Sequence, residues 1–580
     1  MEFEQVLVKT GGFGRFQKTV MVLALMLSGL HTALYAFGHY LILVTPFSQW
    51  CFHNYSVPSA EEISALPRGR CQGVAMHSAE DGHHNGTTFQ EGLKACPSGW
   101  QYDPNEFFPT VTMENEWVCG DSWKLYTVHT TYWLGSMAGY LICGVLSDRI
   151  GRKKTIMILT VIGSTASLAG TYFSGFVGFS VLRFFTGMAA LTINSVVFVL
   201  AIEYTVSQRR TLVSFVWVTM WGLLSSVAPW YGYLTQSWRS LLYAAVVADV
   251  LLLSCLAWFP ESSSWLLSVG RTSEAVHHLQ RLASRNGRSV TREAVLELLL
   301  GGNKQSNPKV PSFYESTKAM LKLPRLRRMT LLIYVTWFSV CLCYHGCTLE
   351  LGRLGLNIYT TYSIAMALEL PVNIICIVSL DVLGRRWPNV TFLVVGGISS
   401  ITMGLARTTS ESWTLAMAAL CLSAFAGCYM ITYQLSSEIF PTVIRGRSVQ
   451  LQRLVGELGG LAGMHVAALA ERDRFLPVTV MGATALAASV FAFFLPDTVH
   501  LALPQTLEDG EGLARDRGLC FCPVSAADLF FKRRGDHRNG RSSSGFVQSV
   551  ARTENDAEES VPRGASPERP QRLLKECQED

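Results

Sequence analysis

Residues 148–154 read Asp148-Arg149-Ile150-Gly151-Arg152-Lys153-Lys154, and residues 381–386 read Asp381-Val382-Leu383-Gly384-Arg385-Arg386. One pattern, Asp-x-x-Gly-Arg-Arg/Lys, therefore occurs twice at an offset of 233. A second pair keeps the register: Glu203 is followed seven residues later by Arg210, and Glu438 seven residues later by Arg445, at an offset of 235. Self-similarity at a fixed distance is the mark of a duplicated architecture. The second copy has Val382 where the first has Arg149.

Around these loops the chain is apolar. Its 580 residues are 49% hydrophobic and 16% charged, with mean hydropathy +0.26, whereas soluble domains carry about 25% charged residues. A membrane-crossing helix needs about 20 mostly apolar residues. Twelve segments qualify, at approximately 20–44, 125–147, 155–173, 176–201, 212–235, 240–259, 330–349, 358–380, 389–406, 412–433, 447–470 and 475–495. The first run is too long for a cleavable leader and reads as an anchor that stays. The repeated loops follow spans two and eight, and the Glu/Arg pairs follow spans four and ten. This predicts an all-α membrane protein of the major facilitator fold, with twelve transmembrane helices in two parallel six-helix halves. The expected divisions are a 1–19 N-terminus, a 20–260 half containing a 45–122 loop, a 261–329 helical connection, a 330–496 half and a largely disordered 497–580 tail.

Charge sets the expected orientation. The 261–329 connection holds 12 Lys/Arg against 5 Asp/Glu, and the 45–122 segment holds 3 against 10. The basic loops and both termini are thus expected in the cytoplasm of a plasma-membrane protein, with the acidic segment outside. That segment carries Cys51, Cys71, Cys96 and Cys119 and the sequons of Asn54 and Asn85. Four cysteines in an oxidising compartment allow two disulfides in three connectivities, and the sequons are glycosylation candidates on that side only. The other cysteines read as buried small apolar residues.

Several chemistries are missing from the sequence. There is no phosphate-binding Gly-x-x-x-x-Gly-Lys-[Ser/Thr] loop, no His-Glu-x-x-His or paired Cys-x-x-Cys, and no Gly-x-Ser-x-Gly elbow. No enzyme, metal or cofactor is expected. A net charge of +5 without basic-aromatic clusters gives no reason to expect nucleic acid. The expected partners are a small organic ion and the lipid bilayer.

Specific stretches resemble a known family. They are Gly14-Arg15-Phe16-Gln17, Gly99-Trp100-Gln101-Tyr102-Asp103, Glu116-Trp117-Val118-Cys119, Leu146 to Lys153, Pro260-Glu261-Ser262, Trp265-Leu266-Leu267, and Tyr433-Gln434 ahead of Glu438-Ile439-Phe440-Pro441-Thr442. Over residues 10–510 the chain resembles solute carrier family 22, the organic cation, anion and carnitine transporters. Arg445-Gly446-Arg447, Leu458-Gly459-Gly460-Leu461 and Leu507-Glu508-Asp509-Gly510-Glu511 look most like its divergent branch of members 17, 23 and 31, which includes a relative described as a lipocalin receptor.

Charged groups inside spans point to the expected substrate site, since charge at that depth needs a partner or a function. Glu457 matches the position where cation carriers of the family resemble one another in having Asp, and anion carriers Arg. Glu369-Leu370-Pro371 matches an acidic-x-Pro pattern, and Asn373 replaces a Lys typical of anion carriers. Arg453, four residues before Glu457, shares its helical face and offers to neutralise it. Glu369 has the alternative role of serving backbone groups freed by Pro371. Asp249, His31 and His39 read as packing. Tyr35, Trp217, Trp221, Tyr344 and Tyr433, with Gln434, would complete the cavity wall. Asp148, Arg149, Arg152, Asp381, Arg385, Glu203, Arg210, Glu438 and Arg445 form the expected gate, whose charged bonds break as the halves tilt. The resulting expectation is a transporter of small organic ions working by uniport or exchange, of cation, zwitterion or anion. The alternative is a non-transporting receptor on the same fold.

Overall fold

The computed structural model describes residues 2–46, 48–52, 71–77, 86–90, 93–103, 107–173, 175–206, 209–300, 318, 320–352, 354, 357–406, 411–473, 475–499, 501, 504 and 506–513. All fall in one unit, Met1–Pro523; a second unit, Val524–Asp580, lies outside the described residues, as does most of the expected tail.

A short helix α1 (Glu2–Lys9) precedes six long ones: α2 (Arg15–Ile42), α3 (Ser122–Ile150), α4 (Arg152–Gly170), α5 (Phe176–Glu203), α6 (Arg210–Thr235) and α7 (Trp238–Trp258). Two polar-faced helices follow, α8 (Thr272–Arg285) and α9 (Arg292–Leu300). Six more long helices follow: α10 (Pro324–Leu351), α11 (Ile358–Leu383), α12 (Arg386–Ala406), α13 (Glu411–Ile439), α14 (Thr442–Ala468) and α15 (Leu476–Phe493), with a short capped helix at Leu507–Gly512 after them. Nine of the twelve are apolar enough to cross a membrane by composition alone. The other three, α3, α4 and α14, match them in length but are more polar, and α3 and α14 line the central cavity.

Helices outlast the apolar runs that announce them. Span ten was expected to stop near 433, yet α13 continues to Ile439 because its last turn is closed by polar pairs rather than by lipid. Gln434 donates to Glu438 Oε1 at 3.1 Å. Asn357 caps α11 by accepting from the Thr360 amide at 3.1 Å, and Pro324 starts α10, where a missing amide hydrogen costs nothing.

The duplicated loops become duplicated turns. Gly151 and Gly384 join α3 to α4 and α11 to α12 with φ of 104° and 80°, a region that side chains disfavour. Arg152 is the first residue of α4 and Arg385 immediately precedes α12; each reaches a carboxylate in the last turn of a neighbouring helix. Arg152 Nη2 lies 3.2 Å from Glu203, and Arg385 Nε lies 3.0 Å from Glu438. A carboxylate at a helix C-terminus opposes the helix dipole, and the guanidinium offsets it. A further copy of the repeat escaped the sequence reading: Pro260-Glu261-Ser262 and Pro496-Asp497-Thr498, at an offset of 236. Glu261 Oε1 accepts from the Arg152 and Lys153 amides at 2.9 and 3.0 Å, closing the N-terminus of α4. Asp497 Oδ1 accepts from the Arg385 amide at 3.4 Å.

The 45–122 segment adds a small sheet that the all-α expectation did not foresee. Strands β1 (Gln49–Phe52), β2 (Gln72–His77), β3 (Gly86–Gln90) and β4 (Gln101–Tyr102) lie in the order β3-β2-β1-β4. β1 and β2 run parallel, and the other pairings are antiparallel. Strands of two to six residues leave too little alternation to read. Disulfides Cys51–Cys96 and Cys71–Cys119 tie the sheet, choosing one of the three connectivities. Asn54 and Asn85 lie outside the described residues. The bundle thus has a disulfide end and, opposite it, a basic end carrying the 148 and 381 loops.

Candidate functional site

A cavity of about 150 Å³ lies between the halves. It is lined by α2, α3, α5 and α6 from one half and by α10, α11, α13 and α14 from the other, four helices each. A π-turn at Ala33–Phe37 interrupts α2, a device that often marks functional stretches of helix. It leaves Thr32, Ala36 and Tyr40 on the cavity wall.

Of the expected residues, Glu457, Arg453, Glu369, Tyr344 and Trp217 line this cavity, as do Trp221 and Asn373. The two carboxylates are treated differently. Glu369 Oε1 accepts from the Tyr344 hydroxyl at 2.9 Å, so its partner is a phenol on α10. Glu457 is buried, and its Oε2 has no partner within hydrogen-bond geometry among the described residues, its polar neighbour on α3 being the Ser136 hydroxyl. Arg453 does not form an ion pair with it among the described residues. Instead Arg453 Nη1 donates to the Tyr429 hydroxyl at 3.2 Å, and the guanidinium sits 4.6 Å over the Tyr433 ring. On a helix the i,i+4 spacing permits pairing but does not compel it; two tyrosines of α13 hold this arginine. Trp217 Nε1 donates to Asn194 Oδ1 at 2.9 Å, fixing its ring against α5.

Three expectations need correction. Tyr35 is not on the wall: it donates to Asp249 Oδ2 of α7 at 2.7 Å, next to His31 Nδ1 at 2.5 Å from Oδ1. One residue along a helix is about 100°, so Tyr35 and Ala36 face different neighbours. Gln434 also misses the cavity and serves Glu438, while Tyr433 stands one layer behind as the seat of Arg453. Among the described residues, the ion pairs seen at the basic end run inside each half, Arg152 to Glu203 and Arg385 to Glu438. Asp148 lies 3.4 Å from Arg152, while Arg149 and Arg210 are exposed. Arg445 donates to the Phe440 carbonyl at 3.0 Å; the Asp381 side chain lies outside the described residues.

Sequence reasoning missed much of the aromatic wall. Trp133 and Tyr140 of α3, Trp337 of α10 and Tyr429 of α13 all line it, beside His345, whose motif with Tyr344 and Gly346 resembles the family's. The signal was available as helical periodicity: Trp133 and Tyr140 are seven apart, and Trp337, Cys341, Tyr344 and Thr348 step by four, three and four. Bonds between the halves gather at the disulfide end. Tyr40 Oη is 3.1 Å from His345 Nδ1, Thr130 Oγ1 is 3.3 Å from His465 Nε2, and the Phe108 amide donates to Tyr359 Oη at 3.3 Å.

Comparison with known proteins places this arrangement. Residues 122–464 match the model of the Major Facilitator Superfamily. Solute carrier family 22 member 7 of Bos taurus is 30% identical over 535 residues, covering 88% of this chain and 96% of the relative. The chain belongs to solute carrier family 22. This solute carrier is also 28% identical to the human family member 13 over 526 residues, covering 88% of this chain and 93% of the relative. An organic cation transporter of Caenorhabditis elegans is 24% identical over 527 residues, covering 89% of each chain. Among solved structures, the xylose transporter of E. coli in an inward-open conformation has a TM-score of 0.57 at 16% identity, covering 86% of this chain and 99% of that one; the likeness is one of fold. The solute carrier is thus a multi-pass membrane protein of a transporter family, and its relatives are not enzymes.

Proposed function

We propose that this solute carrier moves a small organic cation or zwitterion across the plasma membrane by alternating access, binding it between Glu457 and the tyrosine and tryptophan wall. The observation that carries this reading is the buried Glu457 Oε2 without a partner among the described residues, with Arg453 turned away to Tyr429 and Tyr433. An unpaired carboxylate in a low-dielectric cavity is costly and is relieved by a cation. Aromatic faces add cation–π attraction of about 0.5–2 kcal/mol each. A zwitterion would place its own anion toward Arg453.

The rest of the cycle follows from the interface. The basic end faces the cytoplasm, and the bonds from Tyr40 to His345 and from Thr130 to His465 hold the opposite end shut. Rocking the halves would break those contacts, together with the bond from the Phe108 amide to Tyr359. The ion pairs of Arg152 and Arg385, each inside one half, would travel intact and keep the halves rigid.

Uptake of labelled organic cations, zwitterions and anions into cells expressing the wild type, Glu457→Gln or Arg453→Gln tests the reading. Saturable cation or zwitterion uptake that Glu457→Gln abolishes is the expected result. Anion uptake insensitive to Glu457→Gln but lost in Arg453→Gln would reverse the sign of the substrate. Surface protein that binds ligands yet moves none would establish the receptor alternative.

A further inference from the structure

A second cavity, of about 580 Å³, opens at the basic end, away from the substrate site. Its floor is the start of α4 (Lys153, Lys154, Met157) and the end of α7 (Trp258, Phe259). Its outer wall is α8, with Arg281, Arg285 and His278 turned in. The cavity therefore lies where two membrane helices emerge from the apolar layer and a polar-faced helix covers them.

Its charges do not balance. Five basic side chains line it (Lys153, Lys154, Arg271, Arg281 and Arg285), against Glu261 and Glu274. Both acids are engaged. Glu261 Oε1 takes the amides of Arg152, Lys153 and Ser262, and Glu274 is held by Arg271 at 2.6 Å. Lys153 donates to the Phe259 carbonyl at 2.8 Å, and the Arg285 guanidinium lies 4.7 Å over the Phe16 ring. Lys154 and Arg281 are exposed and form no ion pair among the described residues. The buried Nδ1 of His278 likewise has no partner.

Topology alone does not require this. Basic residues scattered along loops would set orientation equally well. Here they converge on one concave site whose lower edge is apolar and faces the lipid. Trp258 is 76% exposed, and Met157, Ile158 and Val161 line the α4 surface beneath it, with Val250 and Leu251 on α7. A phosphate-bearing headgroup meets the cations while its acyl chains follow the α4–α7 surface. A free soluble phosphate compound would gain nothing from that lower edge.

We propose that the cavity between α4, α7 and α8 binds an anionic phospholipid of the cytoplasmic leaflet, its phosphates held by Lys154, Arg281 and Arg285 and its chains lying against Met157 and Trp258. Such basic pockets at the membrane surface suit polyanionic headgroups. The lipid ties α8, in the connection between the halves, to the first half. The assignment does not depend on which substrate the carrier moves, and its test needs no transport.

The test uses the purified full-length chain in detergent, titrated with a fluorescent short-chain phosphatidylinositol bisphosphate. Competitors are unlabelled phosphatidylcholine and soluble inositol trisphosphate. Saturable binding that inositol trisphosphate displaces at least tenfold less well than the lipid itself, and phosphatidylcholine not at all, is expected. Lys154→Gln with Arg281→Gln should weaken it about 25-fold, at about fivefold for each basic group near the surface. The charge-keeping pair Lys154→Arg with Arg281→Lys should restore it, separating lost contact from lost fold. Arg288→Gln with Arg292→Gln, outside the cavity, should leave it unchanged. Equal binding by the Lys154/Arg281 double variant, or no saturable binding by the wild type, overturns the proposal. Equal affinity for inositol trisphosphate and the lipid overturns the lipid as the source.

Discussion

Tyr35 on α2 and Asp249 on α7 are joined by a 2.7 Å hydrogen bond deep in the first half, and both are fully buried. His31 completes the group, with its two ring nitrogens facing the Asp249 carboxylate and the Ala190 carbonyl at 2.5 and 3.2 Å. The three residues pin α2 to α5 and α7 just before the π-turn that shapes the cavity wall and within it. Removing the acceptor strands two buried donors. Asp249→Ala is expected to cost about 3 kcal/mol or more, and Tyr35→Phe about 1 kcal/mol. Thermal unfolding of the detergent-solubilised protein should show that order. Uptake per surface molecule in Tyr35→Phe should stay close to wild type, because the phenol does not reach the cavity.

The two ion pairs at the basic end predict a pattern of rescue. Arg385→Glu or Glu438→Arg alone should destabilise by about 1–3 kcal/mol, and together they should recover much of that loss. Combining Arg152→Glu with Glu438→Arg, one change in each half, should recover nothing. A double-mutant cycle on thermal midpoints decides between pairing inside a half and pairing from half to half.

At the opposite end, Tyr40 and His345 stand close enough to be replaced by a cross-link. With Tyr40→Cys and His345→Cys, a short bis-thiosulfonate cross-linker that spans the space left by the tyrosine ring should block uptake and a reductant should restore it. Neither single cysteine should respond. Free uptake by the cross-linked pair would show that the halves do not part there.

Within the cavity, Trp133 and Trp337 should matter as much as the residues legible in the sequence. Each to Ala should lower uptake efficiency about 5- to 30-fold for an organic cation, with a smaller loss for the Phe variants, following the strength of cation–π contacts. A loss identical in Ala and Phe would assign these rings to a role other than an aromatic face.

The disulfides offer a separate check. Peptide mapping without reduction should recover Cys51 with Cys96 and Cys71 with Cys119. Cys71→Ser should destabilise the 45–122 segment by about 2–4 kcal/mol, read as faster proteolysis of that segment in intact cells.

The fold was legible because duplication and hydropathy are properties of sequence order. Two Gly-Arg loops and twelve apolar runs suffice to lay out the helices, whatever their packing. The Pro-acid-Ser/Thr copies at 260 and 496 were equally available but were read as one motif rather than two. The site was legible only in part because chain neighbours on a helix point about 100° apart. Tyr433 and Gln434, adjacent in a family motif, meet different partners, and Tyr35 meets Asp249 while Ala36 meets the cavity. Arg453 and Glu457 show the opposite limit: spacing brought them to one face, but Tyr429 and Tyr433, from another helix, decided which way the guanidinium turned. The sheet was hidden because its strands are short and its pairing depends on cross-links.

The segment between α2 and α3 is covalently cross-tied and begins and ends on the same six-helix half. It is therefore a passenger of that half, yet through Phe108 it leans on Tyr359 of the other. A rigid molecule that grips this passenger and the start of α11 together would act as a brake on the whole carrier while leaving the central cavity untouched. Inhibition from that surface would lower the turnover number and spare the apparent affinity for substrate. It would thus be noncompetitive, unlike the action of any compound lodged beside Glu457.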